Sequence, residues 1–336
     1  MGFSNSAERT KKPLISVVIP AYNEELSIEQ CYLRVSQVFD QLKSFYLELV
    51  LVNDGSTDRT QQLIHNLCEK DDRITSVDLS RNFGKEIAMT AGLDYAKGDA
   101  IVIMDADLQH PPELISEMLT HWQAGYDIVY AQRKRRDDES FIKRIITAAF
   151  YRLIGKMSQV KIQRDAGDFR LMSRRSVNAL LKLREHHRFM KGLFAWIGFP
   201  SKAIEFEVAA RSAGTSKFNY WKLWNFALEG ITSFTIAPLK IASYIGLLAS
   251  FTAFLFGGWI IFKTLMYGEA VHGYPTIMVS IMLLGGLQLF FIGLLGEYLG
   301  RIFNETKLRP LYFTQFIRTS CYFSEEAQST GNCKDL

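Results

Sequence analysis

The sequence predicts an α/β protein, with a Rossmann-like domain built on a mainly parallel sheet, followed by amphipathic interface helices and two transmembrane helices. Three observations predict it. Short apolar, β-rich runs alternate with helical patterns from residue 14 to residue 131. Two later runs, Ile241 to Phe262 and Pro275 to Gly296, each extend 22 residues without Asp, Glu, Lys or Arg, enough as helices to cross about 30 Å of hydrocarbon. Between these regions lie two stretches whose apolar residues recur at helical spacing beside Lys and Arg.

In chain order, residues 1–13 form a polar tail with Lys11 and Lys12 and no apolar core of a secretory signal. Leu14 to Ile19, Leu47 to Val52, Ile74 to Leu79, Ala100 to Met104 and Ile128 to Ala131 read as strands. Helical patterns occupy 24–43, 58–70, 85–97 and 112–124. Nearly continuous apolar strands between helices suit a parallel sheet covered on both faces. The first domain is expected over 14–216. Within it, 140–156 carries Ile145, Ile146, Ala149, Phe150, Leu153 and Ile154 at helical spacing beside Lys143 and Arg144, as an interface helix does. Residues 217–235 form the juxtamembrane helix, where Tyr220, Trp221, Trp224 and Phe226 stand with Lys217 and Lys222 as in a headgroup zone.

A two-helix hairpin is expected over 236–300. Lys240 precedes its first span, and Arg301, Lys307 and Arg309 follow its second. Basic residues favour the cytoplasmic side, so the large N-terminal domain and both termini are expected there, with the hairpin tip outside. Gly257-Gly258 and Gly285-Gly286 would let helices approach closely within a protomer or in a homo-oligomer. Residues 301–336 are expected as a cytoplasmic tail, polar and mobile beyond Thr314.

In open α/β sheets ligands bind beyond the carboxyl ends of the strands. After the first strand stands Pro20-Ala21-Tyr22-Asn23-Glu24-Glu25, and after the second Asn53-Asp54-Gly55-Ser56-Thr57-Asp58. The first offers an aromatic face and acceptors for a nucleobase; the second offers Asp54 as acceptor for a base N–H beside a tight turn. Asx turns and helix caps use the same residue types. After the fourth strand comes Asp105-Ala106-Asp107, two carboxylates that can jointly hold a hard divalent cation and, through it, a diphosphate. No glycine-rich dinucleotide fingerprint follows the first strand, and no phosphate loop ends in Gly-Lys-Ser/Thr. Cys31, Cys68, Cys321 and Cys333 lack zinc or thioredoxin spacing and read as reduced thiols. His110, His186 and His187 lack ligand spacing and read as structural or surface residues. A net charge of +4 suits an anionic membrane surface and gives no footprint for nucleic acid.

Three runs together, Ile15 to Glu24, Val52 to Asp58 and Asp105 to Pro112, closely resemble inverting family-2 glycosyltransferases. Within that family the chain resembles the polyprenyl-phosphate glycosyltransferases, which include dolichol-phosphate mannosyltransferase and the bactoprenol glucosyltransferases of the GtrB type. Ser80 to Lys85 and Asp165 to Met172 strengthen the match, which covers residues 14–310. The resemblance implies that Pro20, Tyr22, Glu24 and Asp54 line a nucleoside pocket. It implies that Asp105 and Asp107, with Ala106 between them, hold a Mg²⁺ or Mn²⁺ ion and the diphosphate, with Gln109 beside them. Arg133 and Arg144 would bind the acceptor phosphate, and Arg211, Ser216 and Lys217 would lie on a mobile loop over the donor. Asp165 or Asp168 would sit near the reacting centre.

The activity so implied is inverting transfer of a hexose, glucose from UDP-glucose as the leading expectation, to undecaprenyl phosphate or a similar polyprenyl phosphate. Transfer of mannose from GDP-mannose, or a non-catalytic scaffold that binds nucleotide sugar, are the alternatives. A haloacid-dehalogenase-type phosphatase is disfavoured, because its nucleophilic Asp lies on the opening strand, whereas this pair follows the fourth. A processive polysaccharide synthase is disfavoured by the lack of a Gln-x-x-Arg-Trp motif.

Overall fold

The computed structural model describes residues 12–133, 166–186, 188–206, 237–267 and 273–319. They fall into two units: a sheet-based unit that includes the residues from Pro310 onward, and a helical unit ending at Arg309. The expected interface helix at 140–156 and the juxtamembrane helix at 217–235 lie outside the described residues.

In the first unit, β1 (Leu14–Ala21), β2 (Tyr46–Asn53), β3 (Ile74–Leu79) and β4 (Ala100–Ile103) alternate with α1 (Ile28–Gln41), α2 (Thr60–Lys70) and α3 (Lys85–Tyr95). There follow α4 (Leu114–Gln123), β5 (Ile128–Arg133), β6 (Ala166–Ser173), α5 (Arg174–Leu180), α6 (Met190–Trp196), β7 (Ser201–Phe206) and, beyond the helical unit, β8 (Thr314–Arg318). The sheet order is β7-β5-β6-β4-β1-β2-β3-β8. β1 pairs in parallel with β2 and β4, β2 with β3, and β5 with β7. β6 runs antiparallel to both β4 and β5, and β8 antiparallel to β3.

Alternation along β1 explains its position at the centre. Ile15, Val17 and Ile19 join one buried cluster with Ile28, Cys31 and Val35 of α1, Ile64 of α2 and Met118 of α4. Val18 points the other way, where α3 crosses so closely that a side chain on Gly92 would come within 3.0 Å of Val52 Cγ2. Both faces are therefore covered, which is what continuous apolar strands require. The amino-terminal side of the sheet is closed by buried polar contacts: Ser16 Oγ donates to the fully buried Glu48, which also accepts the Lys97 N–H at 2.7 Å.

The expected strands and helices of residues 14–131 are present, but the sheet extends further than the sequence predicts. Residues 166–173, for which the sequence pattern gives no strand, form β6. Residues 314–318, expected in a mobile tail, form edge strand β8. An edge strand gains its main-chain hydrogen bonds from a neighbour, so its own composition need not advertise it. Here Tyr312 OH donates to Asp94 at 2.8 Å, Ser80 N–H donates to Phe313 O at 2.9 Å, and the Phe316 ring lies 5.2 Å from that of His65.

The helical unit contains α7 (Ala237–Tyr267) and α8 (Tyr274–Thr306), which contain the two expected spans. Within α8, Leu283–Thr306 is long and apolar enough to cross a membrane; within α7 the apolar stretch Tyr244–Phe256 is shorter. Among the described residues, α8 alone meets that requirement.

Candidate functional site

The carboxyl ends of β1, β2 and β4 and the start of α3 surround a cleft of about 300 Å³. Sequence-predicted Pro20, Tyr22, Glu24, Asp54, Asp105, Ala106 and Asp107 all line it. So do Ala21, Asn82, Gly84, Lys85 and Ala88, which sequence reasoning did not select. Three loops shape one side. Asn23, in the left-handed region at φ 55°, donates its N–H to Ser56 Oγ and accepts from Thr57 N–H at 2.9 Å, joining the turn after β1 to the turn after β2. Glu24 N–H donates to Thr60 Oγ1 at 2.8 Å across the same seam. Tyr22 remains 45% exposed, leaving its ring face open to a planar ligand.

Asp54 joins the third loop. Its carboxylate accepts N–H bonds from Phe83 at 2.7 Å and Gly84 at 2.9 Å, and burial raises its pKa although those bonds and Arg81 oppose the rise. The carboxylate thus shapes the rim that bears Asn82 and Gly84. Gly55 makes this possible: at φ +64° its Cα lies so close to the loop that a Cβ would come 2.5 Å from Asn82 N.

The other side is acidic and bridged by one cation. Lys85 Nζ lies 2.5 Å from Asp105 Oδ1 and 2.7 Å from Asp168 Oδ2, so the first residue of α3 joins the turn after β4 to β6. Burial works against the ammonium, yet Asp105 and Asp168 outweigh it and hold its pKa above the ordinary value. Burial likewise opposes ionisation of Asp168, but Lys85, with Arg170 and Lys191, holds its carboxyl below the ordinary range. Asp107 Oδ1 accepts the Gln109 N–H at 3.1 Å, which fixes the turn after β4.

Asp168 reaches this position through an irregularity in β6. The register with β5 shifts between Tyr130, opposite Arg170, and Gln132, opposite Ala166. Arg170 Nη2 donates to Gly167 O at 2.8 Å, and the guanidinium stacks 3.5 Å from the Phe194 ring centroid. Burial depresses its pKa to about 10. This side chain therefore holds the peptide immediately before Asp168. His110 is buried between the rings of Phe169 and Phe206, at 5.4 and 5.3 Å, as its structural reading implies.

For a divalent cation, Asp105 and Asp107 present hard carboxylate oxygens on the same cleft, a donor set that fits Mg²⁺ or Mn²⁺ when a ligand supplies the remaining oxygens. Among the described residues no group of three or more His, Cys, Asp and Glu could hold a metal by itself. The structure does not describe Arg144, Asp165, Arg211, Ser216 or Lys217; for Arg133 it places the backbone at the end of β5.

Residues 16–181 match the description Glycosyl transferase family 2, and residues 237–302 match GtrB C-terminal hairpin. An uncharacterized glycosyltransferase of Synechocystis sp. is 49% identical over 89% of this chain and 93% of its own length. A prophage bactoprenol glucosyl transferase homolog of Escherichia coli K12 is 47% identical over 90% of this chain and 99% of its own. The bactoprenol glucosyl transferase of Shigella phage SfV is 48% identical over 89% and 97% respectively.

Proposed function

Since the chain belongs to glycosyl transferase family 2 and carries the GtrB C-terminal hairpin, we propose that it transfers glucose from UDP-glucose to a polyprenyl phosphate such as undecaprenyl phosphate, with inversion at the anomeric carbon. The observation that carries this reading is the two-sided cleft, in which Tyr22 and the Asp54-anchored rim face one part and Asp105, Asp107, Lys85 and Asp168 the other. Relatives named bactoprenol glucosyl transferase at 47–48% identity over nearly their whole length support the acceptor class and the choice of glucose.

The nucleoside lies against Tyr22, beside Pro20, Glu24 and Asp54, and the diphosphate lies toward Asp105 and Asp107 with Gln109 close by. The chemistry that Mg²⁺ or Mn²⁺ supplies at these two carboxylates is neutralisation of charge on the departing nucleoside diphosphate. Arg211, Ser216 and Lys217 close over the donor. An acceptor phosphate is already anionic near neutral pH, so it needs positioning more than a strong general base. Arg133 and Arg144 bind that phosphate, and Asp168 or Asp165 orients the attack. A single in-line displacement at the anomeric carbon inverts its configuration.

The membrane assignment extends to both long helices. Phe254 and Trp259 of α7 and Leu289 and Phe290 of α8 are 77%, 62%, 72% and 66% exposed, apolar surface of the kind that lipid covers. Two spans with Lys240, Arg301, Lys307 and Arg309 at one end support a cytoplasmic catalytic domain and cytoplasmic termini. The donor is tested by offering the purified protein a panel of UDP- and GDP-sugars with a short-chain polyprenyl phosphate. UDP release with UDP-glucose well above the other donors is expected; preferential GDP release from GDP-mannose would refute the donor assignment.

A further inference from the structure

Lys85 occupies an unusual place for a residue of a metal-dependent cleft. Its ammonium sits against a carboxylate assigned to the cation, 2.5 Å from Asp105 Oδ1, and holds Asp168 Oδ2 at 2.7 Å with its other side. We propose that Lys85 is an internal counter-cation that weakens the acidic turn's hold on free metal, so that the divalent ion binds tightly only together with the nucleoside diphosphate. The proposal rests on the reading of Asp105 and Asp107 as the metal–diphosphate site.

Three observations carry it. First, the Lys85 backbone is fixed: it opens α3 directly after Gly84, whose N–H, like that of Phe83, is held by Asp54. The ammonium is thus tethered, through the lysine's flexible stem, to the rim of the nucleoside side. Second, among the described residues the protein offers the cation no cluster of three metal-ligating side chains. Mg²⁺ or Mn²⁺ at Asp105 and Asp107 is short of protein ligands until phosphate oxygens arrive. Third, a divalent ion at the Asp105 carboxylate and an ammonium bound to the same carboxylate repel at close range, where screening by water is weakest. Without donor, a metal ion at Asp105 competes with Lys85 for that carboxylate. With donor, the diphosphate brings enough negative charge to satisfy both cations.

Metal and donor are then positively coupled, and by linkage each tightens the other by the same factor. Lys85 is in this sense a positioning residue for the metal. Loss of an ordinary structural lysine would loosen the site toward metal. Loss of a competing cation would tighten it.

The test titrates Mn²⁺ into full-length protein in detergent, with free Mn²⁺ followed by electron paramagnetic resonance, in the absence and presence of UDP. Lys85→Met and Lys85→Gln are compared with wild type and with the charge-retaining Lys85→Arg, folding being checked by circular dichroism. Wild type should bind Mn²⁺ weakly alone and more tightly with UDP. Both neutral variants should bind Mn²⁺ alone about tenfold more tightly than wild type and gain less from UDP, whereas Lys85→Arg should stay weak. Neutral variants that bind Mn²⁺ alone no better than wild type, or an equal gain in Lys85→Arg, would overturn the role of Lys85. Wild type that fails to take up Mn²⁺ even with UDP would instead overturn the underlying metal–diphosphate reading.

Discussion

The charge pattern around Asp168 predicts how the protein responds to pH. Asp168, held by Lys85, Asp71, hydrogen-bonded by Arg73, and Asp127, paired with Arg175, all have carboxyls below the ordinary value of 3.8 despite the opposing effect of burial. A depressed pKa contributes stability that is present above the unfolded-state value and lost as pH falls through the folded one. Asp54 is raised by burial and works in the opposite sense, but it stands against these three and against Asp58 and Glu113, which are also lowered. Thermal unfolding in detergent should therefore shift downward as pH drops from about 6 to about 3, and Asp168→Asn should shrink that shift. An unchanged acid limb in the variant would show that Asp168 is not held as described. The residues that produce this behaviour are unequally legible in the sequence. Asp105, Asp107, Asp54 and Tyr22 lie at strand ends, where the rule for α/β sheets points. Lys85 ends the run Ser80 to Lys85 after β3, so the same rule has a signal for it, but its partnership with Asp168 depends on a strand that the sequence does not reveal. Arg170 leaves no signal, because its role is set by Phe194 and by the register shift beside Gly167.

Elements differ in legibility for a related reason. β1 to β5 carry their own apolar runs, because helices bury both faces, and the predicted strands there match those observed. β6 borrows its place from β4 and β5. Its sequence, with Gly167, Asp168 and Arg170 in an eight-residue strand, looks like a turn until its neighbours are known. β8 is another borrowed strand, fastened at its entrance by Tyr312 to Asp94 and along its length to β3. The end of β3 leads into the Asn82–Gly84 rim, so β8 steadies one wall of the cleft from behind. Tyr312→Phe removes a single hydrogen bond while Arg184 still satisfies Asp94. It should cost about 1 kcal/mol in urea denaturation of the detergent-solubilised protein. A loss near zero would show that this fastening contributes nothing.

At the scale of the whole molecule, charge alone divides the chain: uncharged runs mark both long helices, and the charged remainder marks the sheet domain. Periodicity at 140–156 and 217–235 predicts two further amphipathic helices, which the described residues do not include. The choice of sugar is the least legible property, because pocket shape rather than strand-end spacing determines it. In the proposed reaction a nucleotide-sugar cleft, an acidic turn and a lipid acceptor act together. The most direct test incubates the purified full-length protein with UDP-glucose labelled in the sugar, undecaprenyl phosphate and Mg²⁺ or Mn²⁺, and measures label in the extracted lipid. Wild type should form a labelled lipid phosphosugar, and chelation of the metal or the double substitution Asp105→Ala, Asp107→Ala should reduce its formation by at least about 100-fold. Labelled lipid formed at an undiminished rate by the double variant, or none formed by wild type, would contradict the proposed mechanism.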